Sequence, residues 1–300
     1  MNRPGRIAVT GAEGFVGRTL CAHLREAGHE IVRLRSRTSG PGGYDIQSGR
    51  IDKEALRGCD AVVHLAGAPI ARRWNERGVL DIIESRVAST DLIAHALAEL
   101  RTGGGPSVFI CMSGINRYGT RREGILTESS DTREDGFLSK VTSAWEEAAT
   151  PAVKAGIRTV FLRTGMVLGA SGGPLQLMLP AFRLGLGGPI AGGAQAVSWI
   201  TVDDLARLIL WSLDRADVSG PVNATAPGHL TQREFAHALG KALRRPAILP
   251  LPRWALAPLG GFAKETVLSD LRVRPEKALA AGFTFRCPRI EDAFQECLRG

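Results

Sequence analysis

The stretch that most constrains the fold is Arg6-Ile-Ala-Val-Thr-Gly-Ala-Glu-Gly-Phe-Val-Gly-Arg18. A short apolar run, Ile7 to Val9, leads straight into glycines at positions 11, 14 and 17. Phe15, Val16, Leu20 and Leu24 then recur at helical spacing. The pattern predicts strand, tight turn, helix. Gly11 permits the sharp turn, Gly14 lets a pyrophosphate approach the backbone, and Gly17 lets helix and strand pack closely. Unbonded N–H groups and the positive dipole end of the helix then favour phosphate. An ordinary glycine-rich turn is the alternative. The strand before and the helix after argue against it.

Further apolar, strand-like runs occur at 30–34, 61–65, 107–112 and 158–163, and helical patterns at 51–56, 79–100 and 138–155. Short apolar strands alternating with helices predict an α/β protein, with a Rossmann-type doubly wound parallel sheet buried on both faces. Ligand then binds at the carboxyl ends of the strands. Residues 169–196 are rich in glycine and proline and read as a loop over the site. A short strand at 198–202, a helix at 203–213 capped by Asp203 or Asp204, and a last strand at 222–224 follow. The expected division is 1–168 plus 197–224 as the nucleotide-binding domain. Residues 169–196 plus 225–300 form a smaller substrate or lid domain.

Composition narrows the class. The chain has 300 residues, 44% hydrophobic and 23% charged, which suits a globular protein with a sizeable core. The chain has no run of 18 apolar residues that would span a membrane and no signal-peptide pattern at its start, so a cytoplasmic protein with no membrane partner is expected. Cys21, Cys59, Cys111, Cys287 and Cys297 are scattered, with no CxxC pair, and read as reduced, buried thiols. The histidines show no ligand spacing, and His64 reads as structural. No metal site is expected. The net charge of +8 is spread along the chain. It favours anionic small-molecule substrates over a nucleic-acid partner. A homodimer through 79–100 and 138–155 is one option; the same apolar faces serve equally well as core.

The second strand ends Val32-Arg-Leu-Arg-Ser-Arg-Thr38, and no Asp or Glu lies between Glu30 and Asp45. An acid there would hold a ribose 2′-hydroxyl, whereas arginine accommodates a 2′-phosphate. Arg35 and Arg37, with Ser36 between them as a donor, therefore point to NADP(H).

These residues resemble the extended short-chain dehydrogenase/reductases, which include the nucleotide-sugar epimerases. The resemblance rests on the glycine motif, Asp60-Ala-Val-Val-His-Leu-Ala-Gly67, Ser113 with Tyr118-Gly119, and Trp199-Ile-Thr-Val-Asp-Asp-Leu205. An epimerase-like branch is more similar still, through Ser85-Arg-Val-Ala-Ser-Thr90, Leu162-Arg-Thr-Gly-Met-Val-Leu-Gly169 and a C-terminal module around Leu268–Pro275. The resemblance implies that Gly11–Gly17 holds the pyrophosphate and that Leu65, Ala66 and Gly67 border the adenosine. It implies that Arg86 reaches phosphate or substrate, and that Ser113, Arg163 and Met166 flank the nicotinamide. It also implies a Tyr-x-x-x-Lys pair, which is missing here. Phe137 takes the tyrosine position and Val141 the lysine position. Ser113 is then expected to orient a substrate oxygen, with Tyr118 or water handling the proton.

The expected function is an NADP(H)-dependent oxidoreductase or epimerase-type enzyme acting on a small hydroxylated or carbonyl substrate. A non-catalytic NADP(H)-binding sensor or partner protein is one alternative. A non-redox isomerase, dehydratase or cyclase reusing the fold is another.

Overall fold

The structure, a computed structural model, describes residues 4–38 and 40–298. Residues at both ends of the expected domains, 1–3 and 299–300, lie outside the described residues. The early strands are β1 (Arg6–Thr10), β2 (Glu30–Ser36), β3 (Gly43–Asp45), β4 (Arg50–Ile51), β5 (Ala61–His64), β6 (Val108–Gly114) and β7 (Arg121–Leu126). The later ones are β8 (Arg158–Thr164), β9 (Met166–Leu168), β10 (Ala196–Val197), β11 (Trp199–Thr201), β12 (Gly220–Ala224), β13 (Leu230–Thr231) and β14 (Asp270–Val273). Helices are α1 (Phe15–Glu26), α2 (Lys53–Leu56), α3 (Glu76–Glu84), α4 (Val87–Leu100), α5 (Phe137–Glu147) and α6 (Thr150–Lys154). They continue with α7 (Gly173–Arg183), α8 (Val202–Asp214) and α9 (Gln232–Leu243).

Eight strands form the main sheet in the order β12-β8-β6-β5-β1-β2-β3-β4. β1 pairs in parallel with β2 and with β5, and β5 with β6. This is the Rossmann-type order that the sequence predicts, reversing direction at β1 and β5. The apolar runs explain it: Ile7–Val9, Ala61–Val63 and Phe109–Cys111 are fully buried. Such strands need helices on both faces. Ile93, Ala94 and Leu97 of α4 join Trp145, Ala149 and Ala152 in the core that covers them. Much of the apolar surface of 79–100 and 138–155 is therefore core, while Leu80 and Val153 stay exposed.

The chain divides into two compact units. One contains the chain up to Ser113, with Lys140–Leu162 and Ala206–Val222. The other contains Gly114–Ser139, Arg163–Leu205 and the chain from Asn223 onward. The difference from the sequence-based division lies chiefly in 114–139. β7 pairs in parallel with β14, and Tyr118, Leu126, Leu271 and Val273 bury one another, which ties that segment to the second unit.

Three local expectations change. The pattern at 79–100 is two helices, broken at Ser85–Arg86, and that at 138–155 breaks before Pro151. The expected loop at 169–196 contains α7. Leu175, Leu179 and Phe182 recur at helical spacing and are buried, and Pro174 sits in the first turn, where its missing N–H costs nothing. Neither Asp203 nor Asp204 caps α8. Thr201 Oγ1 accepts from Asp204 N, and the Asp204 carboxylate accepts from the N–H groups of Arg286 and Cys287 at 2.8 and 2.9 Å.

α5 starts under an acidic side chain from far along the sequence. The Glu265 carboxylate accepts from the N–H groups of Phe137 (2.8 Å) and Leu138 (2.6 Å), which satisfies two donors of the first turn. A Cβ at Gly136 would lie 2.9 Å from a Glu265 oxygen, so a larger residue there would make the carboxylate shift. Glu265→Ala is expected to cost about 2 kcal/mol, since it leaves buried N–H groups unpaired. Glu265→Gln, which retains one acceptor, should cost about half as much. Urea denaturation of the three proteins checks this; equal midpoints would mean that water replaces the cap.

Candidate functional site

The turn after β1 has the geometry its glycines suggest. Gly11 has φ +66°, and its carbonyl accepts from Gly14 N at 3.0 Å. A Cβ at Gly17 would lie 2.1 Å from Gly11 O, and one at Gly11 would lie 3.0 Å from Ala66 N. Gly14 is the N-cap of α1, with no side-chain cap and no acidic residue in the first turn. Phe15, Val16 and Gly17 therefore open a helix whose first N–H groups are left for an anion. Leu65, Ala66 and Gly67 follow β5 directly beside this turn.

A buried polar chain fixes that neighbourhood. Thr10 Oγ1 accepts from the N–H groups of Leu65 and Ala66 at 3.1 and 3.2 Å. Its own proton is then directed to His64 Nδ1, 2.7 Å away. His64 Nε2 must carry the hydrogen and donates to Ser89 Oγ (3.0 Å), which donates to Ser85 O (2.7 Å). Burial pushes the His64 pKa down to about 3, and nearby Arg86 adds to the effect. His64 is a neutral structural group.

Arg86, at the break between α3 and α4, is 8% exposed. Its guanidinium donates to Ile82 O and Ser85 Oγ and stacks 5.1 Å from the Trp145 ring. Among the described residues it meets no carboxylate, and burial pushes its pKa down to about 10. A Cβ at Gly67 would lie 3.2 Å from the guanidinium carbon. A buried cation beside a glycine and lacking an internal counter-ion suits an external phosphate.

At the end of β2, Arg35, Ser36 and Arg37 are exposed, and Arg37 adopts φ +62°. Neither arginine forms an ion pair among the described residues. Ser36 hydrogen-bonds Tyr44, whose pKa burial raises. Together, the glycine turn, the bare helix start and these arginines fit a dinucleotide carrying an additional phosphate.

The expected catalytic residues are engaged inside the protein. Ser113 is 4% exposed and donates to Glu146 Oε1 of α5 at 2.8 Å. Tyr118 is fully buried; its hydroxyl donates to Asn223 Oδ1 at 2.8 Å, and the Arg163 guanidinium lies 4.9 Å from its ring centre. Burial raises the Tyr118 pKa. The Tyr118 hydroxyl, expected to serve as a proton donor, is thus engaged with Asn223 in this structure. Arg163 is buried against that ring, and Met166 opens the short strand β9. Glu128 holds the N–H groups of Asn223 and Lys277. Val141 is buried, and Lys140 is exposed. Sequence reading missed Glu146: it adjoins Glu147, and only the phase of α5 selects the one that meets β6.

Known proteins agree with this architecture. The family described as "NAD dependent epimerase/dehydratase family" matches residues 7–224, and a "Domain of unknown function (DUF1731)" matches 251–297. An epimerase family protein of Mycobacterium leprae is 36% identical over 97% of this chain and 95% of its own length. The crystal structure of human epimerase family protein SDR39U1 with NADPH is similar at TM-score 0.89 and 33% identity, covering 98% of this chain and 99% of that one. The structure of a nucleoside-diphosphate sugar epimerase from Corynebacterium glutamicum is similar at TM-score 0.80 and 32% identity, covering 99% of this chain and 59% of that one.

The buried His64 makes the fold acid-sensitive. Its folded pKa lies below the unfolded value, so its stabilising contribution is complete above about pH 6.5 and is lost as pH falls toward 3. Between pH 7 and 5 the loss should be about 2 kcal/mol. His64→Gln should be less stable at pH 7 but show a shallower decline, read by urea denaturation at both pH values. An unchanged decline would assign the acid sensitivity to another group.

Proposed function

This chain belongs to the NAD dependent epimerase/dehydratase family, and from that membership we propose that it binds NADP(H) and acts on a small hydroxylated or carbonyl substrate. The reaction is oxidoreduction or epimerisation. The observation that carries the cofactor choice is the pair Arg35 and Arg37, exposed at the end of β2 with no ion-pair partner among the described residues. The similar human protein was crystallised with NADPH, which supports the same choice.

In this reading Gly11, Gly14 and Gly17 give backbone access to the pyrophosphate, and the start of α1 donates to it. Arg86 neutralises a phosphate from its buried position beside Gly67, and Arg35 and Arg37 grip the 2′-phosphate. Bound nicotinamide would supply hydride exchange with a substrate carbon. The accompanying proton falls to this chain's own groups. We assign it to Ser113 Oγ, whose own hydrogen passes to Glu146 Oε1 along the 2.8 Å bond. Tyr118 is a positioning residue, holding the segment after β6 through Asn223.

A cofactor-binding protein without turnover is the second reading. Phe137 and Val141 favour it, standing where the wider superfamily uses tyrosine and lysine.

Titration with NADPH and NADH, followed by fluorescence, tests the cofactor. Wild type should prefer NADPH, and Arg35→Ala/Arg37→Ala should weaken NADPH binding about 100-fold while leaving NADH unchanged. Equal affinities in wild type would sink the arginine assignment. NADPH oxidation across a panel of carbonyl compounds tests turnover. Glu146→Gln and Ser113→Ala should bind NADPH normally but react about 100-fold more slowly. Tight NADPH binding with no oxidation by wild type would favour the second reading.

A further inference from the structure

Eight of the eleven large apolar side chains that stand exposed among the described residues fall between Leu177 and Leu259, all in the second unit. Two separate segments bring them together. Leu249 N donates to Gly187 O, Leu251 N to Pro189 O, and Ala191 N to Leu251 O, so 187–191 runs beside 249–251. Leu184 (74% exposed), Leu186 and Ile248 (72%), which lead into the paired segments, and Leu249 within them are uncovered, and Trp254 (78%) follows Leu251 by three residues. On α7 the surface continues: Leu177, Pro180, Ala181 and Leu184 are exposed at spacings of three and four, the opposite face from buried Leu175, Leu179 and Phe182. This helix is apolar on both sides. Scattered exposed leucines need no explanation, but a contiguous set does.

The charges carried by the two segments that form this surface are of one sign. Residues 240–264 hold Lys241, Arg244, Arg245, Arg253 and Lys264, and residues 173–194 hold Arg183. Neither stretch contains an Asp or Glu. All six cations are exposed, and none forms an ion pair among the described residues. A second copy of the chain is a poor occupant, because a two-fold contact would bring these cations toward their own duplicates. An anionic partner is required, and it must accept Trp254, Ile248 and Leu184 into an apolar phase. A bilayer containing anionic phospholipid supplies both, with headgroup charge at the surface and acyl chains just beneath. Tryptophan at that depth is favoured by its amphipathic ring.

We propose that this face of the second unit docks on the surface of anionic membranes. Trp254, Ile248 and the exposed end of α7 insert at the acyl boundary, and Arg183, Arg244, Arg245 and Arg253 meet the headgroups. No described helix is long and apolar enough to cross a membrane, so contact is with one leaflet. Such contact needs no spanning segment, so it departs from the expected lack of a membrane partner. The tertiary pairing of 187–191 with 249–251 is what creates the surface.

Co-sedimentation of the full chain with large unilamellar vesicles tests this. Vesicles of phosphatidylcholine with 30% phosphatidylglycerol should retain the protein at least about 100-fold better than phosphatidylcholine alone, roughly the effect of three surface cations. Arg244→Gln/Arg245→Gln should lower the partition about 30-fold. Ile248→Ser/Trp254→Ser should lower it at least tenfold. All four positions are exposed, so circular dichroism and melting should match wild type. Lipids brominated in their acyl chains should quench tryptophan fluorescence of wild type but not the Trp254→Phe component. Three results would each overturn the proposal: no partition into the anionic vesicles, partition without quenching of Trp254, or binding to polyglutamate but not to vesicles. A dimer that Trp254→Ser dissolves, with no vesicle binding, would overturn it in favour of self-association.

Discussion

A methyl group at position 17 would lie 2.1 Å from the carbonyl oxygen of Gly11, well inside contact distance. That one constraint sets how closely α1 approaches the end of β1, and much of the first unit follows from it. With α1 seated, the turn leaves its first N–H groups facing outward rather than capped. The same turn brings Gly11 against Leu65 and Ala66 after β5. Thr10 then binds the N–H groups of both residues and hands its proton to His64. Backbone contact and buried hydrogen bonds thus set the floor of the candidate site before any ligand arrives.

Charge is handled differently in the two units. In the first, Arg86 is buried without an internal carboxylate, a costly arrangement unless an anion arrives from outside. In the second, buried polar groups answer one another. Glu128 holds Asn223, Asn223 accepts from Tyr118, and Glu265 holds the start of α5. Satisfied networks of this kind rigidify a segment; an unsatisfied cation marks where binding energy is available. The contrast lies between Tyr118, whose hydroxyl is held by Asn223, and Arg86, which meets no carboxylate among the described residues.

Strands and glycine turn were legible because their signals are local. Ile7–Val9, Ala61–Val63 and Phe109–Cys111 are short runs without polar breaks, and such runs are buried on both faces. The basic end of β2 was legible for the same reason: Arg35, Ser36 and Arg37 stand out by position at the end of a strand. α7 was not, because Gly172, Gly173, Pro174 and Pro180 outweigh a helical spacing of three buried residues until those residues have something to pack on. Nor was the pairing of Ser113 with Glu146, which depends on the phase of α5 against β6. The burial of Tyr118 was not legible either, because a loop position says nothing about burial, and Leu126, Leu271 and Val273 pack with it.

The sequence by itself determined the parallel sheet, the phosphate turn and the basic end of β2. Each depends on residues within about ten positions of one another, where apolar run length, glycine freedom and charge act directly. Only the tertiary structure decided which acid meets Ser113, that Arg86 has no internal counter-ion, and that two glycine- and proline-rich segments join into one apolar, cationic face. Those pairings arise between residues tens of positions apart. Their partners are chosen by packing rather than by neighbourhood in the chain.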